Sequence, residues 1–116
     1  MENCIFCKII KGELPCKKIF ENEEIMVFLD INPAIQGHLL VIPKKHFVNV
    51  ADTPENTLRE VVAVSKKMGL LLKEKLLAEG FNIINASGEE AQQSVFHLHF
   101  HVVPRYKNDG CILPKS

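Results

Sequence analysis

The nine residues HLHFHVVPR, at positions 97–105, decide the fold and direct the search for a function. Three of the 5 histidines in the chain, His97, His99 and His101, alternate here with apolar side chains. Successive side chains of a β-strand point to opposite faces of a sheet. We therefore predict a strand over residues 95–104 that carries the three imidazoles on one face and turns its apolar side chains into the core.

A row of imidazoles has several chemical uses, because near pH 7 this group can act as nucleophile, general base or metal ligand. On a regular strand, neighbouring histidines lie about 6.5–7 Å apart and the outer two about 13 Å apart. One zinc ion with bonds of about 2.1 Å cannot reach all three, although two adjacent histidines can share a metal. Close imidazoles also suppress one another's protonation, which keeps a nucleophile available, while a phosphate favours a protonated neighbour that donates hydrogen bonds. The alternative is a solvent-facing strand face that is merely rich in histidine.

The polar stretch NASGEEAQQS, residues 85–94, lies between two predicted strands and precedes the histidine row. It offers backbone N–H groups, the flexible Gly88, and the side chains of Gln93 and Ser94 beside the imidazoles. A loop of this kind can cradle an anion. The alternative is an ordinary connection between two strands.

Length and composition set the frame for these motifs. The 116 residues fit one domain with one modest core. Lys plus Arg equals Asp plus Glu at 14 each, which argues against a nucleic-acid partner but leaves a small phosphorylated ligand open. We see no signal-peptide pattern and no run of roughly 20 apolar residues. We therefore expect no membrane partner and a cytoplasmic location in which thiols stay reduced.

Two helices are predicted from start and stop signals. Asn3 can cap a short helix over residues 4–11, which Gly12 ends. A long helix starts at Thr53–Pro54, with proline at the first helical position, and continues to about Glu79 with Gly80 as its stop.

Four further strands are predicted, over residues 17–21, 24–29, 38–43 and 81–86. The strand at 38–43, HLLVIP, is nearly all apolar, so we expect it to be central in its sheet. The order of elements predicts an α+β fold, with helices packed on an antiparallel or mixed sheet.

The long helix carries one broad apolar stripe, made of Leu58, Val61, Val62, Met68, Leu72 and Leu76. A second line, Ala63, Leu70 and Leu77, repeats every seven residues on the far side. This second line is either a set of scattered surface residues or a contact surface for a dimer.

Together, several stretches resemble the histidine-triad (HIT) family. HLHFHVV at 97–103 fits its His-φ-His-φ-His-φ-φ motif, where φ is apolar, and four more stretches follow the family's order and spacing: CIFCKIIKGELP (4–15), FLDINP (28–33), GHLLVIPKKH (37–46) and QSVFHLHFHVVPR (93–105). The chain most resembles the small Hint-like branch of nucleotide-binding hydrolases and transferases, in its bacterial type. The resemblance implies a single HIT domain over residues 1–116, in which an antiparallel sheet with one short N-terminal and one long central helix continues across a homodimer.

The resemblance also implies an activity. Such proteins bind purine nucleotides such as AMP or GMP and cleave a bond at the α-phosphorus of nucleoside phosphoramidates, releasing AMP from adenosine 5′-monophosphoramidate, or of dinucleoside polyphosphates. The middle histidine, His99, would form a covalent nucleotidyl-imidazole that water then hydrolyses. His101 would contact the phosphoryl oxygens, and His38 would help to orient the triad.

Substrate contacts follow by the same resemblance. Ser94 and the loop around Gln93 would hold the phosphate, Asn85 matches a phosphate-side asparagine, and Asp30 matches the acid that accepts hydrogen bonds from the ribose. The apolar walls of the base pocket would be Ile5, Phe6, Ile9, Phe28 and Ile31. Phe28 and Ile9 can equally be ordinary core residues.

The chain departs from the family at Gln92, where Gly-Gln-Ser/Thr is usual before the triad. Glycine there can adopt φ > 0 and let the backbone approach the phosphate. Gln92 must either take that conformation or change the loop, which affects rate and substrate preference.

Cys4 and Cys7 are spaced i, i+3, so on a helix their thiols face one way. The resemblance implies a structural Zn²⁺ held by Cys4, Cys7, His46 and His97, as in bacterial members. The alternatives are two unlinked buried thiols or a C-x-x-C redox pair, which this pair resembles less because it does not follow a strand in a βαβ unit.

Three functions compete. The chain is a phosphoramidase or nucleotidyl hydrolase that uses His99, a metallohydrolase whose zinc on the H-x-H pair activates water, or a nucleotide-binding regulatory module with little turnover. We favour the first.

Overall fold

The computed structural model describes residues 3–114, so residues 1–2 and 115–116 of the predicted domain lie outside the described residues. It contains two helices, α1 (Ile5–Ile10) and α2 (Glu55–Lys75), and five strands, β1 (Lys18–Glu21), β2 (Ile25–Leu29), β3 (Leu39–Pro43), β4 (Gly80–Ile84) and β5 (Phe100–Arg105). Short 3₁₀ turns lie at Val50–Asp52 and Glu89–Ala91. Within residues 3–114, neither helix has the length and apolar character that crossing a bilayer requires.

The strands form one antiparallel sheet in the order β1-β2-β3-β5-β4, which confirms the predicted α+β class. β3 is the middle strand, as its apolar sequence predicts. Its side chains alternate between two cores. Leu39 and Val41 belong to the core that α2 covers, whereas Leu40 and Ile42 belong to a second core on the α1 side. Because both faces of β3 are covered, almost every residue in it is apolar.

The histidine row enters this sheet later than predicted. β5 begins at Phe100, so His97 and His99 precede the strand and only His101 lies in it. The backbone N–H of Leu98 donates to the carbonyl of Phe47, in the segment after β3, at 2.7 Å, and this bond replaces pairing within the sheet. The predicted alternation still holds, since Leu98 and Val102 are fully buried in the α2-side core.

The buried face of α2 differs from the predicted stripe. Val62 and Leu76 are 48% and 37% exposed, whereas Val64 and Ser65 are buried. Ser65 is accommodated because its hydroxyl donates to the carbonyl of Val61 at 2.8 Å. The core-facing positions on α2 are Val61, Val64, Ser65, Met68, Gly69 and Leu72.

Both ends of α2 also differ from prediction. Pro54 is the N-cap and precedes the first helical residue. The helix ends at Lys75, and Leu77, with φ of 56° and 78% exposure, makes the left-handed turn after it. Gly80, the predicted stop, begins β4 instead. Leu77 therefore lies outside α2, and it does not continue the helical line of Ala63 and Leu70.

The cap of α1 is a cysteine. The Sγ of Cys4 accepts a hydrogen bond from the backbone N–H of Cys7 at 3.4 Å, so Cys4 and not Asn3 is the N-cap. Lys11 is the C-cap, and Gly12 follows with φ of 80°, as its predicted role as a stop requires.

Gly69 allows α2 to lie close to β4, because a Cβ at this position would overlap the ring of Phe81. We expect Gly69→Ala to destabilise the protein by about 1–2 kcal/mol, since overpacking of about 1–3 kcal/mol exceeds the gain in helix propensity of at most about 1 kcal/mol. Thermal unfolding would show a fall in Tm of roughly 5 °C. Gly80→Ala is the matched control, because its Cβ meets no atom within 4 Å; an equal fall in both variants would contradict the packing argument.

Candidate functional site

A cavity of about 560 Å³ lies between α1, one face of the sheet and the loops at its edge. Helix α1 contributes Ile5, Phe6 and Ile9, whose i, i+1, i+4 spacing places them on one side of a helix. Nine of the residues predicted for the site line this cavity: Ile5, Phe6, Ile9, Phe28, Asp30, Ile31, Ser94, His99 and His101. One part of the wall is therefore apolar, and another carries two imidazoles, a hydroxyl and a carboxylate.

Phe28 and Ile9 are both core residues and cavity-wall residues. Phe28 is 3% exposed and belongs to the α1-side core, with Ile9 packed against that core, yet both face the cavity. Their rigid packing gives the cavity a preformed apolar end.

His99 is buried, and one hydrogen bond defines its tautomer. Its Nδ1 lies 2.8 Å from the carbonyl oxygen of His97. Because a carbonyl oxygen can only accept, Nδ1 carries the proton, and in the neutral ring the lone pair is on Nε2. The ring of Phe6 packs edge-on against the His99 ring, with the ring centroids 5.2 Å apart, and limits the rotation of the imidazole. His99 thus presents the atom of a nucleophile in a fixed orientation.

A chain of hydrogen bonds orients His101 from behind. The backbone N–H of Ala34 donates to Nδ1 of His38 at 3.0 Å, so the proton of a neutral His38 is on Nε2. That Nε2 lies 2.8 Å from Nδ1 of His101 and donates to it, which leaves the His101 proton on its own Nε2. Among residues 3–114, this buried Nε2 has no hydrogen-bond partner. A buried donor on a cavity wall is suited to an acceptor that arrives with a ligand.

Burial keeps the imidazoles of His101 and His38 neutral near pH 7 by lowering the pKa of each. It lowers the pKa of His101 to about 3, assisted by the nearby His99 and His38. Burial also lowers the pKa of His38, although the carboxylate of Asp30, 3.5 Å from Nε2, opposes the change. Neutral rings fit the tautomers that the hydrogen bonds define.

The low pKa of His101 predicts acid sensitivity. Between about pH 6.5, where an unfolded histidine titrates, and about pH 3, the unfolded chain binds more protons at this position than the folded protein does. Stability is therefore intact above pH 6.5 and is lost as the pH falls, by about 2 kcal/mol between pH 7 and pH 5. Urea unfolding at both pH values should show that His101→Gln removes this part of the dependence. An identical dependence in variant and wild type would contradict the assignment.

Two predicted substrate contacts lie off the cavity wall. The side chain of Gln93 is buried; its Oε1 accepts from the N–H of Gly88 at 2.8 Å, and its Nε2 donates to the carbonyls of Val48 and Val95. Gln93 therefore braces the loop rather than facing a ligand. The Nδ2 of Asn85 donates to the carbonyl of His99 at 3.0 Å, so Asn85 supports the backbone of the candidate nucleophile.

Gln92 adopts the conformation that the family's glycine would favour, with φ of 72° and ψ of 28°. Its backbone N–H donates to the carbonyl of Glu89 at 2.9 Å and closes the turn. The loop path is therefore kept without glycine, and the exposed Gln92 side chain points away from the protein interior.

The four predicted zinc ligands converge. The ligand atoms of Cys4, Cys7, His46 and His97 all lie within 4.8 Å of one another. Three Sγ to Nδ1 distances, from Cys4 to His97 and from Cys7 to both histidines, are 3.3–3.5 Å, and the two Nδ1 atoms are 3.1 Å apart. A tetrahedral Zn²⁺ with two thiolates and two imidazoles needs about 3.5 Å and about 3.3 Å for these separations. The donor set therefore fits Zn²⁺ in both chemistry and spacing.

The surroundings of this metal cluster, as we call the four residues, support the same conclusion. The Nε2–H of His97 donates to the carbonyl of Pro43 at 2.8 Å, which turns the Nδ1 lone pair toward the cluster. Burial lowers the pKa of His97 to about 4, so the ring is a neutral ligand. Burial raises the pKa of Cys7, with Cys4 adding to the effect, which is opposite to the lowered pKa of a redox-active thiol.

A second group of close ligand atoms, Asp30, His38 and His101, does not suit a metal. The Nε2 of His38 carries a proton in the hydrogen-bonded chain described above and has no lone pair to offer. Within residues 3–114, no group of ligand atoms that could hold a metal includes His99. The geometry therefore gives no support to a metallohydrolase with zinc on the H-x-H pair.

The sequence did not predict several wall residues, namely Leu14, Pro15, Cys16, Asn32, Leu40, Val95 and Pro114. For Leu40 a signal existed, because alternation along β3 places it on the face of its partner His101. Pro114 approaches the cavity from the far end of the chain, and no local pattern indicates this.

The fold and the site together define a histidine-triad protein. A short capped helix and a long helix pack on a five-stranded antiparallel sheet, and three alternating histidines lie just before and at the start of β5. The HIT domain matches residues 11–108, and the chain belongs to this family. HIT-family proteins bind nucleotides, and the family includes hydrolases.

Three comparisons place it more closely. The chain is 49% identical over 107 residues to a HIT-like protein of Methanocaldococcus jannaschii, covering 92% of this chain and 82% of that protein. It is 40% identical over 107 residues to the adenosine 5′-monophosphoramidase of Candida albicans, covering 89% of this chain and 70% of that one. The crystal structure of a zinc-bound histidine-triad protein from Mycobacterium smegmatis superposes with a TM-score of 0.93 at 40% identity, over 99% of this chain and 84% of the other.

Proposed function

We propose that the protein hydrolyses purine nucleoside 5′-phosphoramidates at the α-phosphorus through a covalent nucleotidyl-His99 intermediate. The observation that carries the proposal is the fixed tautomer of His99, a residue that lines the cavity: the bond from Nδ1 to the His97 carbonyl assigns the lone pair to Nε2. The similarity to a protein named adenosine 5′-monophosphoramidase supports the choice of leaving group.

The distribution of apolar and polar walls favours one orientation of a bound nucleotide. The apolar walls on α1 and β2, which include Phe6 and Phe28, suit a purine base. The carboxylate of Asp30 can accept hydrogen bonds from ribose hydroxyls, and Ser94, His99 and His101 surround the position left for the α-phosphate.

The reaction proceeds in two displacements. Nε2 of His99 attacks the α-phosphorus; the Nε2–P bond forms as the P–N bond breaks, and the departing nitrogen takes up a proton from water and leaves as an amine. Water then attacks the phosphorus, the Nε2–P bond breaks, and AMP and the original His99 are released; the proton that the attacking water loses passes to solvent and balances the one taken up in the first displacement. The Nε2–H of His101 donates to a phosphoryl oxygen, where negative charge grows in each transition state.

The same proposal includes a structural Zn²⁺ on the metal cluster and a cytoplasmic homodimer. Zinc would tie α1 to the segment before β5 and supply folding free energy, while the chemistry uses His99. Val62, Leu70 and Ile83 form exposed apolar surface on α2 and on the edge strand β4, where a second copy can bind.

Incubation of the purified protein with adenosine 5′-monophosphoramidate and with diadenosine polyphosphates, in parallel, tests the proposal. We expect AMP to appear faster from the phosphoramidate. Faster cleavage of the polyphosphates would assign the dinucleoside polyphosphate reaction instead. Tight AMP binding without turnover of either compound would indicate a nucleotide-binding regulatory module.

A further inference from the structure

The metal cluster and the nucleotide cavity share a single short helix. Cys4 and Cys7 lie at the cap and in the first turn of α1, and Ile5, Phe6 and Ile9 of the same helix line the cavity. Helix α1 has only 6 residues. An isolated helix of this length is not stable in water, so α1 depends on its anchors. Whatever fixes the cysteines also fixes one wall of the cavity.

The two sites also share the segment before β5. The ring of His97 lies in the metal cluster, while its backbone carbonyl holds Nδ1 of His99 at 2.8 Å. A displacement of His97 therefore changes the orientation of the nucleophile two residues later.

Phe6 joins these two connections. The side chain of Phe6 is 6% exposed, and its ring packs edge-on against three others. The distances between ring centroids are 5.8 Å to His97, 5.2 Å to His99 and 5.5 Å to Phe28. Phe6 is thus in contact with one metal-cluster ring, the nucleophile and an opposite wall of the cavity. Aromatic edge contacts are directional, so the position of Phe6 depends on the orientation of both imidazoles.

We propose that a metal ion on Cys4, Cys7, His46 and His97 and a nucleotide in the cavity bind with positive coupling, and that Phe6 transmits this coupling between them; the inference rests on the proposed function as far as nucleotide binding is concerned. The physical reason is that the first ligand restrains α1 and the His97–His99 segment, so the second ligand no longer has to order them. Coupling of binding free energies is reciprocal, so the nucleotide must raise metal affinity by the factor by which the metal raises nucleotide affinity.

The first measurement uses the zinc-loaded protein. Zinc affinity is determined by competition with a chromogenic chelator, with and without AMP at a concentration that calorimetry shows to be saturating. We expect AMP to increase zinc affinity about tenfold. AMP that chelates free zinc would lower the apparent affinity, so this artefact has the opposite sign. Unchanged affinity at saturating AMP overturns the coupling alone, whereas absence of any AMP binding overturns the proposed function as well.

The second measurement asks whether Phe6 transmits the effect. Phe6→Leu keeps an apolar side chain but removes the ring contacts to His97 and His99, and Ile10→Val on the same helix, which does not line the cavity, is the matched control. We expect Phe6→Leu to reduce the tenfold factor to less than twofold while both ligands still bind, and Ile10→Val to keep it. If both variants retain the full factor, the coupling arises from folding as a whole and the role of Phe6 is wrong.

Discussion

His99→Ala is expected to reduce turnover of adenosine 5′-monophosphoramidate by a factor on the order of 10³ or more, because it removes the atom that bonds to phosphorus. Neither of the two neighbouring imidazoles can replace it. The proton of His101 is on Nε2, where it serves as a donor, and His38 lies behind His101 and does not line the cavity.

The decisive measurement for His99→Ala is intact-protein mass spectrometry after a denaturing quench. Wild type should carry one nucleotidyl group during turnover, and the variant none. Zinc content should be unchanged, because His99 is not one of the cluster ligands. Glu90→Gln, an exposed change in the neighbouring loop, is the control and should keep both labelling and rate. A variant at position 99 that turns over at more than a few per cent of the wild-type rate would exclude covalent catalysis by this residue.

Cys7→Ala is expected to abolish stoichiometric zinc binding and to lower Tm by about 15 °C. Cys7 is the buried thiol of the cluster, and three remaining ligands cannot close a tetrahedral structural site. A ligand present at 1,000 times its dissociation constant contributes about 4 kcal/mol to the folded state, and each kcal/mol corresponds to about 4 °C in a domain of this size.

Metal analysis and thermal unfolding, each with and without a chelator, check the Cys7 prediction. The chelator should lower Tm of the wild type and leave the variant unaffected. Cys111→Ala is the matched control, because that thiol is not one of the cluster ligands and its contact with the carbonyl of Ala34 is long, at 3.8 Å. If the chelator stopped turnover of the folded wild type at once, zinc would take part in the chemistry. The proposal of a purely structural zinc would then be wrong.

The spacing of apolar residues predicted the architecture: alternation indicated the strands, and a repeat of three to four residues indicated the long helix. The apolar run of β3 indicated a central strand, and the alternation around His99 assigned side chains to the correct faces, since these patterns report burial directly. They could not predict where pairing stops. The irregular path of residues 95–99 depends on a bond from Leu98 to the distant Phe47, and the end of α2 depends on a leucine in a conformation that glycine usually adopts.

Sequence reasoning likewise predicted one part of the site correctly and missed another. The residue types in the histidine row and the two cysteines indicated the candidate side chains for catalysis and metal binding, and the structure brings each set together. Gln93 was assigned to substrate because it lies in a polar loop beside the histidine row, and Asn85 because it matches a phosphate-side asparagine of the family. Their amides instead bond to backbone groups of Gly88, Val48 and His99, and only three-dimensional coordinates show which partner an amide has chosen.

The placement of the two ends of the described chain has a practical consequence for purification. Asn3 adjoins the metal cluster, and Pro114 forms part of the cavity wall. A polyhistidine tag at the amino end would add imidazoles a few residues before Cys4, where they can compete for the ion, and a tag at the carboxyl end would follow shortly after Pro114, which lines the cavity. Metal content and kinetics should therefore be measured on protein from which either tag has been cleaved.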